Sequence, residues 1–174
     1  MPATERGPVE IYLLPGESTL VTRPTVLHTV LGSCVGIALV ALQKQVAGFC
    51  HPMLPLHPEL GSGTASAAFS RRYVDSAIRE LLDAMDSRGV GRAEITAKLF
   101  GGADVLQPIQ DGSRPTVGKL NCEVALRVLR EEGVMVSATR LGGTSGLTIE
   151  FHSETGEVLV RKLQAMETET RRVI

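Results

Sequence analysis

Residues 34–42 read Cys-Val-Gly-Ile-Ala-Leu-Val-Ala-Leu, an apolar run of strand length. A run of this kind, without alternating polar residues, predicts a strand that is buried on both faces. A polar turn at Lys44 follows, and residues 46–53 form a second apolar segment that runs back. We therefore predict a hairpin that carries Cys34 and His51 near the same open end.

Two amphipathic helices are predicted further along the chain. Between residues 70 and 88, apolar side chains recur at intervals of three and four, which places them on one helix face. Ser70 is suited to cap the start of this helix, and Gly89 is suited to end it. A second helix is predicted from residue 116 to residue 132, with Val117 among its inward-facing residues.

Short strands make up most of the remaining chain. They are predicted at residues 11–14, 25–31, 93–100, 134–139, 147–152 and 157–163. Strands outnumber helices, and short turns join several of them, which favours antiparallel pairing over a doubly wound parallel sheet. The predicted fold class is α/β: a single-domain α/β sandwich with mixed, largely antiparallel strands and two main helices. We assign residues 1–174 to one domain, with a core at about residues 8–163 and a charged tail after Gln164.

Composition excludes several classes of function. The formal net charge of −1 argues against nucleic-acid binding, which requires a basic excess. Three cysteines without repeated spacing do not form a disulfide framework. The first residues lack a basic segment followed by an apolar one, so we expect no signal peptide, and no apolar run approaches the ~18 residues of a membrane span. We expect a cytoplasmic protein with reduced thiols.

The spacing of Cys34 and His51 indicates nucleophilic chemistry. If the two apolar segments pair, the thiol and the imidazole can meet, which is the minimum needed for a thiolate to attack an acyl or amide carbon. Gly32 and Ser33 form a slim turn whose backbone N–H groups could serve as an oxyanion hole. In this interpretation His51 holds the thiolate as an ion pair, then protonates the leaving group and activates water.

The alternative is a cysteine that only packs, because free cysteine is among the most buried residue types. Cys50 and Cys122 are interpreted in this way. Cys34, Cys50, His51 and His57 are of types that bind zinc, but they lack the paired spacing of a zinc site. We expect neither a metal nor an organic cofactor.

Five stretches of the chain, taken in order, resemble one known family. They are Leu31-Gly32-Ser33-Cys34-Val35-Gly36, Gly48-Phe49-Cys50-His51-Pro52-Met53-Leu54-Pro55, Phe100-Gly101-Gly102-Ala103, Val117-Gly118-Lys119-Leu120-Asn121 and Glu154-Thr155-Gly156-Glu157-Val158-Leu159-Val160-Arg161-Lys162. Together they resemble the chemoreceptor glutamine deamidase family, CheD. The resemblance implies a cysteine hydrolase with an α/β sandwich fold. Such an enzyme converts particular glutamine side chains of chemotaxis receptors to glutamate and releases ammonia.

The resemblance also implies roles for single residues. Cys34 corresponds to the nucleophile and His51 to the general base and acid. The family's third catalytic residue is a threonine a few positions before the cysteine, and here Thr29 lies five before Cys34. His28 lies six before it, where one pattern of the family has the threonine. Neighbouring residues of a strand face opposite sides, so only one of the two can enter the site, and we choose Thr29.

The implied partners are chemoreceptor cytoplasmic domains as protein substrate and a CheC-type phosphatase, with no nucleic acid and no membrane insertion. Two other functions stay open. One is a related thiol hydrolase, such as a receptor methylesterase, which would share the thioester intermediate. The other is a non-catalytic adaptor that binds a receptor or a phosphatase while its cysteine stays idle.

Overall fold

The computed structural model describes residues 7–58, 67–105 and 114–163. Within these ranges the strands are β1 (Val9–Tyr12), β2 (Ser18–Val21), β3 (Thr25–Leu31), β4 (Val35–Ala41), β5 (Val46–Cys50), β6 (Thr96–Gly101), β7 (Met135–Leu141), β8 (Leu147–His152) and β9 (Glu157–Lys162). The α-helices are α1 (Ala67–Ser70), α2 (Val74–Asp86) and α3 (Val117–Glu131). The charged tail expected after Gln164 lies outside the described residues.

The strands form two sheets. One has four strands in the order β1-β3-β8-β9, and the other has five in the order β2-β5-β4-β6-β7. Two of the strand pairings, β1 with β3 and β6 with β7, are parallel, and the other five are antiparallel. The predicted α/β sandwich of mixed, largely antiparallel strands with two main helices is confirmed.

Strand β4 lies in the middle of the five-stranded sheet and is buried along its whole length. Val35, Ile37 and Leu39 pack into a core with α2 and α3, whereas Ala38 and Val40 pack into a second core with the four-stranded sheet. The fold therefore has three layers: helices, five strands and four strands. This position explains why the sequence of β4 is apolar without alternation.

The predicted hairpin of β4 and β5 is present and sets the position of the candidate site. Ile37 pairs with Cys50, and the pairing continues through a bond from the Val35 N–H to the Pro52 carbonyl at 3.3 Å. His51 therefore shares the face of Phe49, which lies in the core between the sheets. Val35 faces the helices, and neighbouring residues of a strand face opposite sides. Cys34 therefore lies on the same face as His51, toward the four-stranded sheet.

Several local predictions differ from the structure. Strand β2 was not predicted, because its four residues follow a Pro-Gly turn and are all half-buried, without a period. Helix α2 begins at Val74, and the residue at its cap position, Tyr73, makes no side-chain cap. Ser70, predicted to cap this helix, is instead the last residue of α1. Val117, expected to face inward on α3, is 45% exposed, and Asn121 is buried instead. No helix in the described ranges has the length and apolar character needed to cross a bilayer.

Candidate active site

The imidazole of His51 is fixed from the opposite sheet. Thr29, on the inward face of β3, places its hydroxyl oxygen 2.9 Å from Nδ1 of His51. The same hydroxyl donates to the carbonyl of Leu13 at 2.7 Å. Both Thr29 and His51 are 1% exposed. The structure thus brings Thr29 to His51, whereas His28 faces away and binds Glu10.

These two bonds determine the tautomer of His51. A threonine hydroxyl has one proton, and a carbonyl oxygen can only accept, so the proton of Thr29 goes to Leu13. Nδ1 of His51 must then donate its own proton to Thr29, which leaves the lone pair on Nε2. Nε2 is buried and has no hydrogen-bond partner among the described residues. His51 is therefore held with its basic nitrogen free.

The backbone of His51 is held by the turn that precedes β2. Its N–H donates to the carbonyl of Glu17 at 2.9 Å, and its carbonyl accepts from Gly16 at 2.7 Å. Burial lowers the pKa of His51 from 6.5 to about 4, against smaller opposite effects of the Leu13 carbonyl and the Glu17 carboxylate. At neutral pH the ring is uncharged and able to accept a proton.

Hydrogen bonds to its carbonyl groups hold the turn that carries Cys34. The carbonyl of Gly32 accepts from the N–H of Ala103 at 2.9 Å, and that of Cys34 accepts from Gly102 at 2.8 Å. The carbonyl of Ser33 accepts from the side chain of Asn121 at 2.9 Å. Each of the three carbonyls is bound from outside the turn, so the peptide planes are fixed.

The N–H groups of the same turn are left available. Within the described part of the chain, no backbone or side-chain acceptor outside the turn takes the N–H of Gly32, Ser33 or Cys34. Fixed N–H donors beside a nucleophile are what an oxyanion hole requires. The geometry is compatible with the role that the sequence predicts for Gly32 and Ser33.

Gly101 and Gly102, at the end of β6, allow the chain to approach this turn. Both have positive φ, 92° and 67°. A Cβ on Gly101 would overlap the carbonyl oxygen of Cys34, and one on Gly102 would overlap Sγ of Cys122. Only glycine permits both this conformation and this contact, so the pair is needed to hold the Cys34 turn.

Asn121, which ends one of the stretches that resemble the CheD family, lies on α3 beneath the site. It is fully buried on α3, and its amide donates to the carbonyls of Ser33 and Met53 at 2.9 and 3.0 Å. Ser33 precedes the nucleophile, and Met53 lies two residues after His51, so Asn121 joins the two halves of the site. A polar residue on the buried face of an otherwise apolar helix was the available signal.

Cys34 and His51 are diagonal neighbours across the hairpin. His51 falls opposite Gly36 in the continued register, and Cys34 lies two residues from Gly36 on the same face. Diagonal pairs of this kind are about 7 Å apart at Cβ, within reach of a thiol and an imidazole. Cys34 itself is half-buried.

The charge state of this pair differs from the expected ion pair. Burial raises the pKa of the Cys34 thiol, and its own backbone N–H lowers it by less. Together with the lowered pKa of His51, this favours a neutral thiol and a neutral imidazole in the resting protein. The physical reason is that both groups leave water, and burial penalises the charged form of each.

The remaining cysteines lie elsewhere. Cys50 is fully buried in the core beside the helices, on the opposite face of β5 from His51. Cys122 packs against the same core, with Sγ near the carbonyls of Gly101 and Gly102. Cys50 and His51 therefore cannot approach one metal ion as the zinc alternative would require.

Comparison with known proteins gives a family match. The family model described as CheD chemotactic sensory transduction matches residues 53–162. This segment starts just after His51, so it includes Asn121 but not Thr29, Cys34 or His51. A crystal structure of the Bacillus licheniformis hypothetical protein YfiH aligns over 74% of this chain and 51% of its own at 14% identity. Its TM-score is 0.48.

Whole-length relatives extend the match across the site. A probable chemoreceptor glutamine deamidase CheD 2 of Geobacter sulfurreducens is 41% identical over 92% of this chain and 94% of its own. A probable chemoreceptor glutamine deamidase CheD of Rhodospirillum rubrum is 37% identical over 90% and 84%. The chemoreceptor glutamine deamidase CheD of Halalkalibacterium halodurans is 34% identical over 86% and 91%. With these relatives along most of its length and a family model over more than half of it, the chain belongs to the CheD family.

Proposed function

We propose that this protein is a cysteine-dependent glutamine deamidase that acts on chemotaxis receptors. The observation that carries the proposal is the fixed tautomer of His51, which leaves Nε2 free on a residue that shares one face of the hairpin with the half-buried Cys34. The relatives are named chemoreceptor glutamine deamidases, which supports a chemoreceptor glutamine as the substrate. Cys34 is the proposed nucleophile, His51 the general base and acid, and Thr29 the residue that orients His51.

The first step forms a bond between Sγ of Cys34 and the side-chain amide carbon of glutamine. Because the resting thiol is neutral, its proton passes to Nε2 of His51 as sulfur attacks. The carbonyl oxygen becomes an oxyanion, and the N–H groups of Gly32 and Ser33 are the proposed donors to it. Each such donor is worth on the order of 3 kcal/mol of transition-state stabilisation.

The second half of the reaction releases both products. The imidazolium of His51 gives its proton to the departing nitrogen, ammonia leaves, and a thioester with Cys34 remains. A water molecule then gives a proton to Nε2 and attacks the thioester carbon. The thiolate takes the proton back, which yields glutamate and the free thiol. The cycle requires no electron transfer, and atoms balance with one water consumed per ammonia released.

The surface around Cys34 fits a protein substrate. Leu14, Met53 and Val105 are 59%, 37% and 45% exposed. Leu14 follows the residue that binds Thr29, Met53 is bound by Asn121, and Val105 lies near Gly32. Exposed apolar side chains grouped at one place on a monomer are typical of sites that contact another macromolecule.

The decisive experiment is the intact mass of a chemoreceptor cytoplasmic fragment after incubation with the wild type and with Cys34→Ala. We expect a gain of about 1 Da per site, localised to glutamine by peptide mapping and absent with the variant. Cys122→Ala is the matched control, because this cysteine is also half-buried but packs against the helix-side core. A fragment that gains no mass, although it binds the folded wild type, would favour the adaptor.

The methylesterase alternative has a different signature in the same assay. A methylated fragment would lose about 14 Da per ester, and methanol rather than ammonia would appear. Both reactions pass through a thioester on Cys34, so loss of activity in Cys34→Ala does not separate them. The identity of the released product does.

We extend the proposal to location and partner. A receptor substrate of this kind places the protein in the cytoplasm with reduced thiols, and all three cysteines are free. The family resemblance further supports a CheC-type phosphatase as partner. Co-elution of the purified protein with such a phosphatase tests this point, and separate elution at micromolar concentration would reject it.

A further inference from the structure

A cavity of about 270 Å³ opens beside the candidate site. It is lined by Arg140, Lys162, the glycine-rich loop 142–145, Leu141 and Leu147. Arg140 lies on β7 and Lys162 on β9, and these two strands are the last in their sheets. The cavity is therefore the opening between the two sheets, at the edge formed by β7 and β9.

Both cations point into this opening. Arg140 pairs with Phe100, and Lys162 pairs with Leu147, and both partners are buried in the core between the sheets. Residues paired across strands face the same side, so Arg140 and Lys162 face the gap. Arg161, which precedes Lys162 on β9, faces the other side with Thr148.

Neither cation has an acidic partner among the described residues. In the parts of the chain that the structure describes, Arg140 and Lys162 form no ion pair, whereas Arg71, Arg79, Arg92 and Arg127 all do. Among the residues that the structure describes, no acidic side chain lines the cavity. Asp104 binds Gly143 through its backbone but does not line the cavity. Two like charges that share an opening favour an anion between them.

The cavity is tied to the nucleophile by the backbone. Gly142 donates to the carbonyl of Gly101 at 2.8 Å, and Gly102 donates to the carbonyl of Cys34 at 2.8 Å. These bonds lead from β7 across β6 to the start of β4. The distance covered is two strand spacings, or about 10 Å. A group bound in the cavity would thus lie about 10 Å from the reacting carbon.

We propose that this cavity binds a carboxylate side chain of the protein substrate, close to the glutamine that is deamidated; the inference rests on the proposed function. Arg140 offers a planar fork for a carboxylate, Lys162 a second charge, and Thr144 and Ser145 hydroxyl donors. Recognition of this kind selects glutamines in acidic surroundings. At about 10 Å, the carboxylate lies about seven residues from the target on a helix or about three on an extended segment.

The test is a cycle of enzyme and substrate variants. Each acidic residue near a mapped target glutamine is replaced by glutamine, and deamidation is measured with the wild type, with Arg140→Gln/Lys162→Gln and with Arg161→Gln. We expect the double variant to lower kcat/KM about tenfold through KM, and one acidic residue of the substrate to account for that loss. Arg161→Gln, which also removes an exposed charge from β9, should stay within about twofold of the wild type.

Two outcomes would overturn the proposal. The first is a double variant that behaves like Arg161→Gln. The second is an equal loss on every substrate variant, which would show that the cations act on the fold and not on a carboxylate. Added salt provides an independent readout, because it should raise KM for the wild type and not for the double variant.

The carboxylate site can also be tested if the proposed deamidase function fails. If the wild type deamidates no receptor fragment, the same enzyme and substrate variants are compared by binding affinity instead. All enzyme variants then also carry Cys34→Ala, and the measured quantity is the affinity for the receptor fragment. A tenfold weaker affinity that requires both the cations and the acidic residue still supports the carboxylate site. Equal affinities reject it.

Discussion

Residues 28 and 29 of β3 belong to two networks on opposite faces of one sheet. On the outer face His28 binds Glu10 and stacks on Tyr12 with ring centroids 5.6 Å apart. On the inner face Thr29 binds His51 in the core between the sheets. The outer network, a histidine with a carboxylate, has the more familiar composition of a catalytic dyad, yet all three cysteines lie elsewhere in the molecule.

The difference shows what makes a histidine chemically useful here. The side chain of His28 is 25% exposed, and its Nε2 is already occupied by a carboxylate. Nε2 of His51 is buried and has no hydrogen-bond partner among the described residues, and its other nitrogen is fixed by a neutral hydroxyl. The free lone pair on the buried Nε2 of His51 can accept a proton from a thiol. Nε2 of His28 already binds a carboxylate, so it is less available as a base.

Removal of each imidazole should have very different effects. His51→Gln takes away the proposed base, so we expect ammonia release from a receptor fragment to fall about a thousandfold. His28→Gln should stay within about twofold of the wild type, because it changes only the outer network. An equal loss of activity in both variants, with native circular dichroism spectra, would contradict the proposed difference between His51 and His28.

The stability of the protein should depend on pH through His51. The unfolded chain binds a proton at this ring below its ordinary pKa of 6.5, whereas the folded chain does so only below about 4. The free energy of unfolding should therefore fall by about 3 kcal/mol as the pH drops from about 6.5 to 4, and this term should level off below that range. Urea titrations of the wild type and His51→Gln measure it as the difference between the two curves. Parallel curves would mean that the folded ring titrates normally.

The hydroxyl of Thr29 should matter through the orientation of His51. Thr29→Val keeps the shape of the side chain but removes both the acceptor for the Nδ1 proton and the donor to the Leu13 carbonyl. We expect kcat to fall about thirtyfold, equivalent to about 2 kcal/mol. Thr29→Ser restores the hydroxyl and should recover most of the activity, whereas a purely packing role would predict that valine is the better substitute.

The smallest effect is expected at Asn121. Asn121→Ala leaves the carbonyls of Ser33 and Met53 without their donor, which should lower the free energy of unfolding by about 1–2 kcal/mol and kcat about tenfold. The neighbouring Cys122→Ala is the control for a change on α3. Unchanged kcat in a destabilised Asn121→Ala would limit this residue to a structural role.

Local sequence patterns were sufficient for much of the fold. Strand β3 and strand β8 have the predicted bounds, because their apolar residues alternate or run continuously between clear turns. The hairpin of β4 and β5 was predictable for the same reason. Strand β2 was missed because pairing with β5, and not its own sequence, makes it a strand.

The site was only partly predictable, since most of its bonds join distant segments. Cys34 and His51 could be identified from their place on one hairpin. The acceptor of Thr29 is a carbonyl, at Leu13, and no sequence pattern indicates which carbonyl a hydroxyl will reach. The cavity formed by Arg140 and Lys162 depends on where two sheets end, so it requires the assembled structure.

The carbonyl groups around Cys34 have a consequence for folding. They are bound by Ala103, Gly102 and Asn121, which come from the end of β6 and from α3, far along the chain. The nucleophile cannot be in place until these segments have docked on the hairpin. The appearance of activity during refolding should therefore follow the slowest step of assembly, and a chain that stops before α3 should hold a hairpin without a working thiol.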